Sequence, residues 1–347
     1  MAKIGFFEIE GWEEKNVRAE FPNDELFFTK EKLHEFDATQ KNDFDIVSVF
    51  VNSEVTEEAL LKFPSVKCIA TRSTGFDHID IEVCKKRGIR VAFVPGYGNN
   101  TVAEFAFGLL LNLTRKMYQA VDRVKESGVF SYEGLRGVDL KEKTMGIIGT
   151  GRIGKEAIHI AKGFGMHVVA FDLHPDAASA TELGFEYKTL EDLLRISDFV
   201  SIHAPYNEST HHLIHSGNII FMKRGSYIVN TARGGIIETA ALIRGLEEGI
   251  LAGVGLDVLE EEGEVKDEMK FFKEKKKSTI WEEMNTKTSG ELETIIQNHM
   301  LMRMSNVLIT PHNAFNTQEA LERILRTTTD NIHIFLNGSD APKSFVV

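Results

Sequence analysis

A chain of 347 residues can hold two domains with cores of their own, and its 42% hydrophobic and 27% charged residues describe an ordinary globular protein. Fifty-two acids against forty bases leave a net charge of −12, which argues against nucleic acid as a general partner. No apolar run approaches the ~18 residues of a membrane span, the opening "MAKIGFFEIEGWEEK" is too short in apolar residues for a signal peptide, and two cysteines without CxxC spacing (Cys68, Cys84) fit a reducing compartment. The expectation is a cytoplasmic protein with no membrane partner. The one basic run, "KEKKK", lies among acids and reads as a solvated helix face.

In chain order, "KIGFFEI", "DIVSVFV", "VKCIATR" and "IRVAFV" read as strands, with "TEEALLKF" and "DIEVCKKRG" as helices between them. "TVAEFAFGLLLNLTRKM" is apolar on nearly every face, which predicts a buried helix and offers a subunit contact. From Thr144 the alternation restarts with "TMGIIG", "MHVVAFD", "DFVSIHA", "SYIVN", "LAGVGLD" and "NVLITPH". This rhythm predicts an α/β protein with parallel sheets covered on both faces. It breaks once, over about 263–305, where a polar stretch with Trp281 reads as an insertion. That stretch contains one helix near "GELETIIQNHMLM", anchored through Leu292, Ile295, Ile296 and Leu301 as a flap near the cleft mouth.

"TMGIIGTGRIGKEAIHIAKGFG" places Gly149-Thr150-Gly151-Arg152-Ile153-Gly154 between a strand and a helix. Gly149 suits the tight turn, Gly151 the close approach of a pyrophosphate, and Gly154 the packing of helix on strand. A bare GxGxxG also occurs as a plain turn. Here Asp172 ends the next strand 21 residues after Gly151, where a carboxylate accepts from ribose hydroxyls and repels a 2′-phosphate. The residues after it offer no arginine for that phosphate, so NAD is expected over NADP.

"YIVNTARGGIIET" ends a core strand on Arg233 backed by two glycines, "VGLDVLEEE" puts Asp257 at another strand end with Glu262 five residues on, and "LITPHNAF" puts His312 past a third. Carboxyl ends of strands are where open α/β sheets bind ligands. The chemistry that needs this set is hydride transfer to a 2-keto acid. Arg233 would grip the substrate carboxylate, His312 would give or take the proton of the carbonyl oxygen, and Glu262 would bond the far nitrogen of that imidazole.

Together "GTGRIG", "HAPYNEST", "NTARGG", "GLDVLEEE" and "TPHNAF" resemble the D-isomer-specific 2-hydroxyacid dehydrogenases over nearly the whole chain outside the insertion. The resemblance implies two doubly wound domains. A Rossmann coenzyme domain (99–310) is inserted into a flavodoxin-like substrate-binding domain (1–98 and 311–347). It implies an Arg–Glu–His catalytic set, falling on Arg233, Glu262 and His312. Cofactor contacts fall on Arg152, Ile153, Asp172, His203, Ala204, Pro205, Thr210, Thr231, Ala232 and Asp257. "VPGYGNNTVAE" is most similar to the D-lactate dehydrogenase branch, which implies that Tyr97 faces the substrate; "TRSTGFDHID" is similar to the loop whose amides hold the carboxylate, here Ser73, Thr74 and Gly75. A homodimer is implied through the long helix and the arm after it. The 50 residues from Glu262 to His312 are more than the resemblance leads one to expect.

Duller readings stand beside these. Arg233 could be a structural ion-pair partner, His312 a satisfied structural histidine, and Tyr97 an aromatic packed between domains. Glu260, Glu261 and Glu264 rival Glu262, which the resemblance selects. His211 and His215 stand at a metal-like spacing in "HHLIH" but have no acid between them, so no metal is expected and a short helix near the cofactor is. The first functional reading is reduction of pyruvate to D-lactate with NADH. Rivals are reductases of bulkier 2-keto acids, of hydroxypyruvate or glyoxylate, a phosphoglycerate dehydrogenase, and, in a different class, a nucleotide-sensing protein similar to the family's transcriptional corepressors.

Overall fold

The computed structural model describes residues 1–39, 41–262, 289–338 and 344–347. Its contacts divide the chain into two compact units, Met1–Tyr97 with Asn316–Val347, and Gly98–Phe315.

The first unit is built on β1 (Lys3–Phe6), β2 (Glu25–Phe28), β3 (Ile46–Val49), β4 (Cys68–Thr71) and β5 (Arg90–Ala92), with α1 (Gly11–Glu20), α2 (Glu57–Leu61), α3 (Ile81–Arg87) and the C-terminal helix Gln318–Leu336. All pairs are parallel, in the order β2-β1-β3-β4-β5, which is the flavodoxin-like order. β3 and β4 are buried along their whole length because helices cover both faces. One side packs Phe7 edge-on against Phe36, Phe44 and Phe63; the other packs Ile4, Phe6 and Ile46 against Leu325 and Ile332. Both cysteines are buried here, and burial pushes their thiols up to about 12 for Cys68 and about 11 for Cys84. They are core residues and not nucleophiles.

The second unit opens with α4 (Asn99–Arg115) and α5 (Met117–Ser127). Sequence periodicity suggested one helix, but Lys116 adopts φ 50 and turns its N–H back onto Asn112 and Leu113, so the chain breaks there. α4 buries Ala103, Ala106, Phe107, Leu109, Leu110 and Leu113; α5 has no buried residue. Then follow β6 (Thr144–Ile148), α6 (Arg152–Gly163), β7 (His167–Phe171), α7 (Ala177–Leu183), β8 (Glu186–Tyr187), α8 (Leu190–Ile196), β9 (Phe199–Ile202), β10 (Ser226–Asn230), α9 (Thr239–Glu247), β11 (Leu251–Leu256), α10 (Ser289–Arg303) and β12 (Val307–Ile309). The parallel sheet runs β12-β11-β10-β9-β6-β7-β8. Counted within the unit this is 7-6-5-4-1-2-3, the Rossmann order, whose direction reverses between β6 and β9.

The sequence reading named neither the edge strand β2 nor the two-residue β8, nor the helices α1, α5, α7, α8, α9 and Gln318–Leu336. Residues 263–288 of the insertion, including Trp281, lie outside the described residues. The helix expected at its end is α10. Ile295 and Leu301 are buried in it and Leu292 is half-buried, but Ile296 is 61% exposed. The inward positions run 295, 298 and 301, so Asn298 replaces Ile296 as an anchor. "HHLIH" forms turns and an isolated bridge from Ile214 to Ile237 instead of a short helix. No helix of the described residues is long and apolar enough to cross a membrane.

Candidate active site

The loop after β6 shows why three glycines are needed. Gly149 has φ 90, and a Cβ there would lie 2.6 Å from the backbone nitrogen of Ala204. A Cβ on Gly154 would lie 2.0 Å from the carbonyl oxygen of Gly149, so only glycine lets α6 start this close to the strand. Gly151 meets nothing within 4 Å. Its open side, at the N-terminus of α6, fits a pyrophosphate approaching backbone N–H groups. Arg152 is exposed in the first turn and Ile153 is half-buried.

Asp172 is bound into this loop. Its Oδ2 accepts from the amide of Thr150 (2.7 Å) and the Thr150 hydroxyl (3.0 Å), and its Oδ1 accepts from the amide of His174 (2.9 Å). Tyr187 of β8 extends the chain, its hydroxyl 2.7 Å from that of Thr150. Partial burial pushes the Asp172 carboxyl up, but the donors from His174 and Thr150 outweigh it, and the group sits below its usual value. It is an anion near neutral pH, with capacity left on Oδ1 for a further donor.

Next to the switch point β9 and β10 end side by side. His203 and Thr231 follow them, both buried, and His203 Nδ1 and Thr231 Oγ1 have no partner among the described residues. The other nitrogen of His203 lies 2.9 Å from Ser201 Oγ. Burial pushes the imidazole down to about 4, so it is neutral at physiological pH. Two orphaned polar atoms beside an open glycine loop fit a polar ligand such as a dinucleotide. Ala204 is buried and Pro205 exposed. Thr210 is spent on the turn itself, donating to Pro205 O at 2.7 Å.

Arg233 is held by a knot that Asn230 ties. The Asn230 amide donates to Arg233 O (2.9 Å) and accepts from Ala232 N (2.9 Å). Behind it a Cβ on Gly234 would strike Leu259 C at 2.0 Å, and one on Gly235 the Tyr206 ring at 2.9 Å. The two glycines thus let the turn lie flush against its neighbours. Arg233 Nη1 donates to Ala232 O at 2.8 Å.

Asp257, after β11, is 1% exposed. Burial raises its carboxyl above the usual value, against donors from the Thr310 hydroxyl and the amides of Asn313 and Ala314 (both 2.8 Å). Those contacts, with His312 N on Asp257 O at 2.9 Å, shape the loop carrying His312, whose φ is 52. Its Nδ1 lies 3.1 Å and 3.2 Å from the two oxygens of Glu262. Of the four rival glutamates, Glu262 faces the histidine. Glu260 is engaged elsewhere, Glu261 is exposed, and Glu264 lies outside the described residues. The "HHLIH" nitrogens have local partners, His211 Nδ1 with Tyr206 and His215 Nδ1 with the Gly217 amide.

Ser73, Thr74, Gly75 and Tyr97 belong to the first unit. The Ser73 hydroxyl donates to Gly75 O (2.6 Å) and that of Thr74 to Val94 O (2.6 Å), so both turn inward and shape the loop. Tyr97 is half-buried, and its carbonyl accepts from Arg323 Nε at 2.7 Å. Sequence reading gave no part to Asn230, Thr150, Tyr187 and Asn298, and weighed Glu260 only as a rival of Glu262; Thr150 and Asn230, inside "GTGRIG" and "NTARGG", stood where a pattern could have shown them.

Comparison with known proteins agrees with this geometry. Residues 107–314 match the family model of the D-isomer specific 2-hydroxyacid dehydrogenase NAD binding domain. D-lactate dehydrogenase of Escherichia coli strain K12 is 37% identical over 327 residues, covering 93% of this chain and 92% of its own. Aromatic 2-oxoacid reductase of Clostridium sporogenes is 37% identical over 295 residues, covering 84% and 83%. The crystal structure of D-lactate dehydrogenase from Aquifex aeolicus, complexed with NAD and lactic acid, matches with a TM-score of 0.84 at 34% identity over 99% of both chains. A Rossmann unit inserted into a flavodoxin-like one, a glycine loop with its aspartate and these relatives lead to one conclusion: the chain belongs to the D-isomer-specific 2-hydroxyacid dehydrogenases, as an NAD-dependent oxidoreductase of their D-lactate dehydrogenase-like branch.

Proposed function

We propose that this enzyme reduces pyruvate to D-lactate, with Arg233, Glu262 and His312 as its catalytic residues. The observation that carries this reading is the imidazole of His312 held through Nδ1 by Glu262, at the strand ends of a dinucleotide-binding sheet. An ionised carboxylate can only accept, so Nδ1 carries the proton of that bond and Nε2 is the nitrogen that serves the substrate. His312 gives a proton to the carbonyl oxygen during reduction and takes it back in the reverse direction. Glu262 holds the ring in that tautomer and orientation. Arg233 grips the substrate carboxylate and draws charge toward the carbonyl oxygen.

NAD, when bound, supplies and accepts the hydride. Gly151, Arg152 and Ile153 would hold its pyrophosphate at the turn that Gly149 and Gly154 shape, and Asp172 its adenosine ribose. His203, Ala204, Pro205, Thr210, Thr231, Ala232 and Asp257 line the rest. Ser73, Thr74, Gly75 and Tyr97 are proposed as substrate contacts, because the two inward-turned hydroxyls leave the loop's amides for an anion.

The enzyme is further proposed to work as a cytoplasmic homodimer. Tyr118, Val121 and Val124 on α5, with Phe130 and Tyr132 on the arm after it, form exposed apolar surface that a second copy would cover. Sedimentation measures that state directly, and a monomer at micromolar concentration removes it. The substrate is tested by a panel of 2-keto acids, each with NADH and with NADPH. Pyruvate should give the highest kcat/KM. A preference for phenylpyruvate would transfer the assignment to aromatic 2-keto acids, a class named for the Clostridium sporogenes relative.

A further inference from the structure

Glu260 stands two residues before Glu262, and the chemistry proposed above makes no use of it. It is nevertheless the most heavily bonded side chain of its segment. Oε2 accepts from the amide (3.1 Å) and the hydroxyl (2.8 Å) of Thr239, which opens α9. Oε1 lies 2.5 Å from Nε2 of His212. Its backbone carbonyl accepts from Nδ2 of Asn298, a fully buried residue of α10, at 2.8 Å. Three stretches remote in sequence converge on one residue whose side chain is 14% exposed.

The segment 259–262 is also pressed against the turn that follows Arg233. A Cβ on Gly234 would lie 2.0 Å from Leu259 C and 2.2 Å from Glu260 N. Between the two glutamates Glu261 adopts φ 53, a left-handed conformation that a residue with a side chain keeps only where its surroundings over-determine it. That single residue lets Glu260 point inward to Thr239 while Glu262 meets His312. The fixed element on one side of the bend is Glu260.

We propose that Glu260 is a positioning residue: by holding Thr239, His212 and Asn298 together it sets the segment that presents Glu262 to His312, and it makes α10, the helix closing the insertion, part of that register. This rests on the reading of Glu262 and His312 as the acid–base pair. Glu260 itself exchanges no proton with substrate. Its contribution passes through the place of Glu262 alone.

A double-mutant cycle separates this role from general support of the fold. Wild type, Glu260→Ala, Glu262→Gln and the double variant are assayed with pyruvate, or with the panel's best substrate, under saturating NADH, alongside thermal midpoints and NADH dissociation constants from fluorescence. Glu260→Ala should lower kcat about tenfold in the wild-type background and less than about twofold beside Glu262→Gln, with NADH affinity unchanged in both. Thr239→Val removes one donor to Glu260 at nearly constant shape, and should lower kcat a few-fold with the same dependence on Glu262; it decides the matter if Glu260→Ala melts below assay temperature. Equal losses in both backgrounds, or an unchanged kcat in Thr239→Val, overturn the positioning role while the acid–base reading stands. Full activity in Glu262→Gln strikes earlier: it removes Glu262 from the chemistry, and with it anything Glu260 could position.

Discussion

His312 points Nδ1 at Glu262, 3.1 Å from Oε2 and 3.2 Å from Oε1, from a backbone conformation at φ 52 that side-chain-bearing residues seldom adopt. The histidine is therefore aimed by its loop as well as by its partner. His312→Gln should lose roughly 10²- to 10⁴-fold in kcat, the range of positioned acid–base groups, and Glu262→Gln should lose less. NADH binding, followed by fluorescence, should survive both changes. Comparable activity in His312→Gln and wild type would make the histidine a loop residue only.

Arg233 invites the most conservative substitution. Lysine keeps the charge but loses the planar fork, so Arg233→Lys should cost on the order of several kcal/mol of transition-state stabilisation. The loss should appear in kcat/KM for the keto acid, with the thermal midpoint unchanged, because the turn is tied by Asn230 through backbone atoms. A lysine variant with near-normal kcat/KM would return Arg233 to a structural part.

Cofactor choice follows from the anionic Asp172. NADH should be strongly preferred over NADPH, and Asp172→Ala should narrow that preference. The same change removes acceptors from the Thr150 amide and hydroxyl. NADH affinity should therefore fall together with selectivity. Wild-type enzyme using both cofactors equally well would contradict the assignment.

His203 gives a pH prediction whose sign can be worked through. Burial holds its folded-state value at about 4, against 6.5 in the unfolded chain. As pH falls below 6.5 the unfolded chain takes a proton that the folded one refuses, so stability present at neutral pH is lost. Between pH 7 and pH 5 this one group should cost roughly 2 kcal/mol. Urea unfolding of wild type and His203→Gln at both pH values checks it: the variant's drop should be smaller by that amount. Parallel drops would mean that the imidazole reaches water.

The reversal between strand and helix patterns, and the residues set at strand ends, made much of this fold and site readable in one dimension. Arg233, His312 and Asp172 each stand within three residues of a strand's end, so the rule that parallel sheets bind at their carboxyl ends was enough to collect them. Glu260 and Asn298 could not be found that way. Their partners lie 21 and 38 residues off in sequence, and nothing in "EEEGE" distinguishes a clamp from a catalytic neighbour. β8 was hidden because a two-residue edge strand needs little apolar sequence of its own when its partner supplies the register, whereas β2 carries an apolar run, "ELFF", too short to stand out beside the longer ones. Ile296 was misplaced by an apolar count that took no account of an inward asparagine. The break at Lys116 had no glycine or proline to announce it.

The empty space beside Gly151 separates two demands usually met together. Its backbone is extended, at φ −66 and ψ −165, and a methyl group there would touch nothing in the protein. Gly151→Ala should consequently fold as well as wild type or gain roughly 0.4–1 kcal/mol from a less flexible unfolded chain. The new methyl would still stand where phosphate must come. Such a protein should melt normally alone and show no thermal shift with NADH, whereas Gly154→Ala, facing a carbonyl at 2.0 Å, should be unstable from the start. A cell's quality-control machinery, which inspects folding and not chemistry, would degrade the second variant and let the first accumulate, soluble, long-lived and inert.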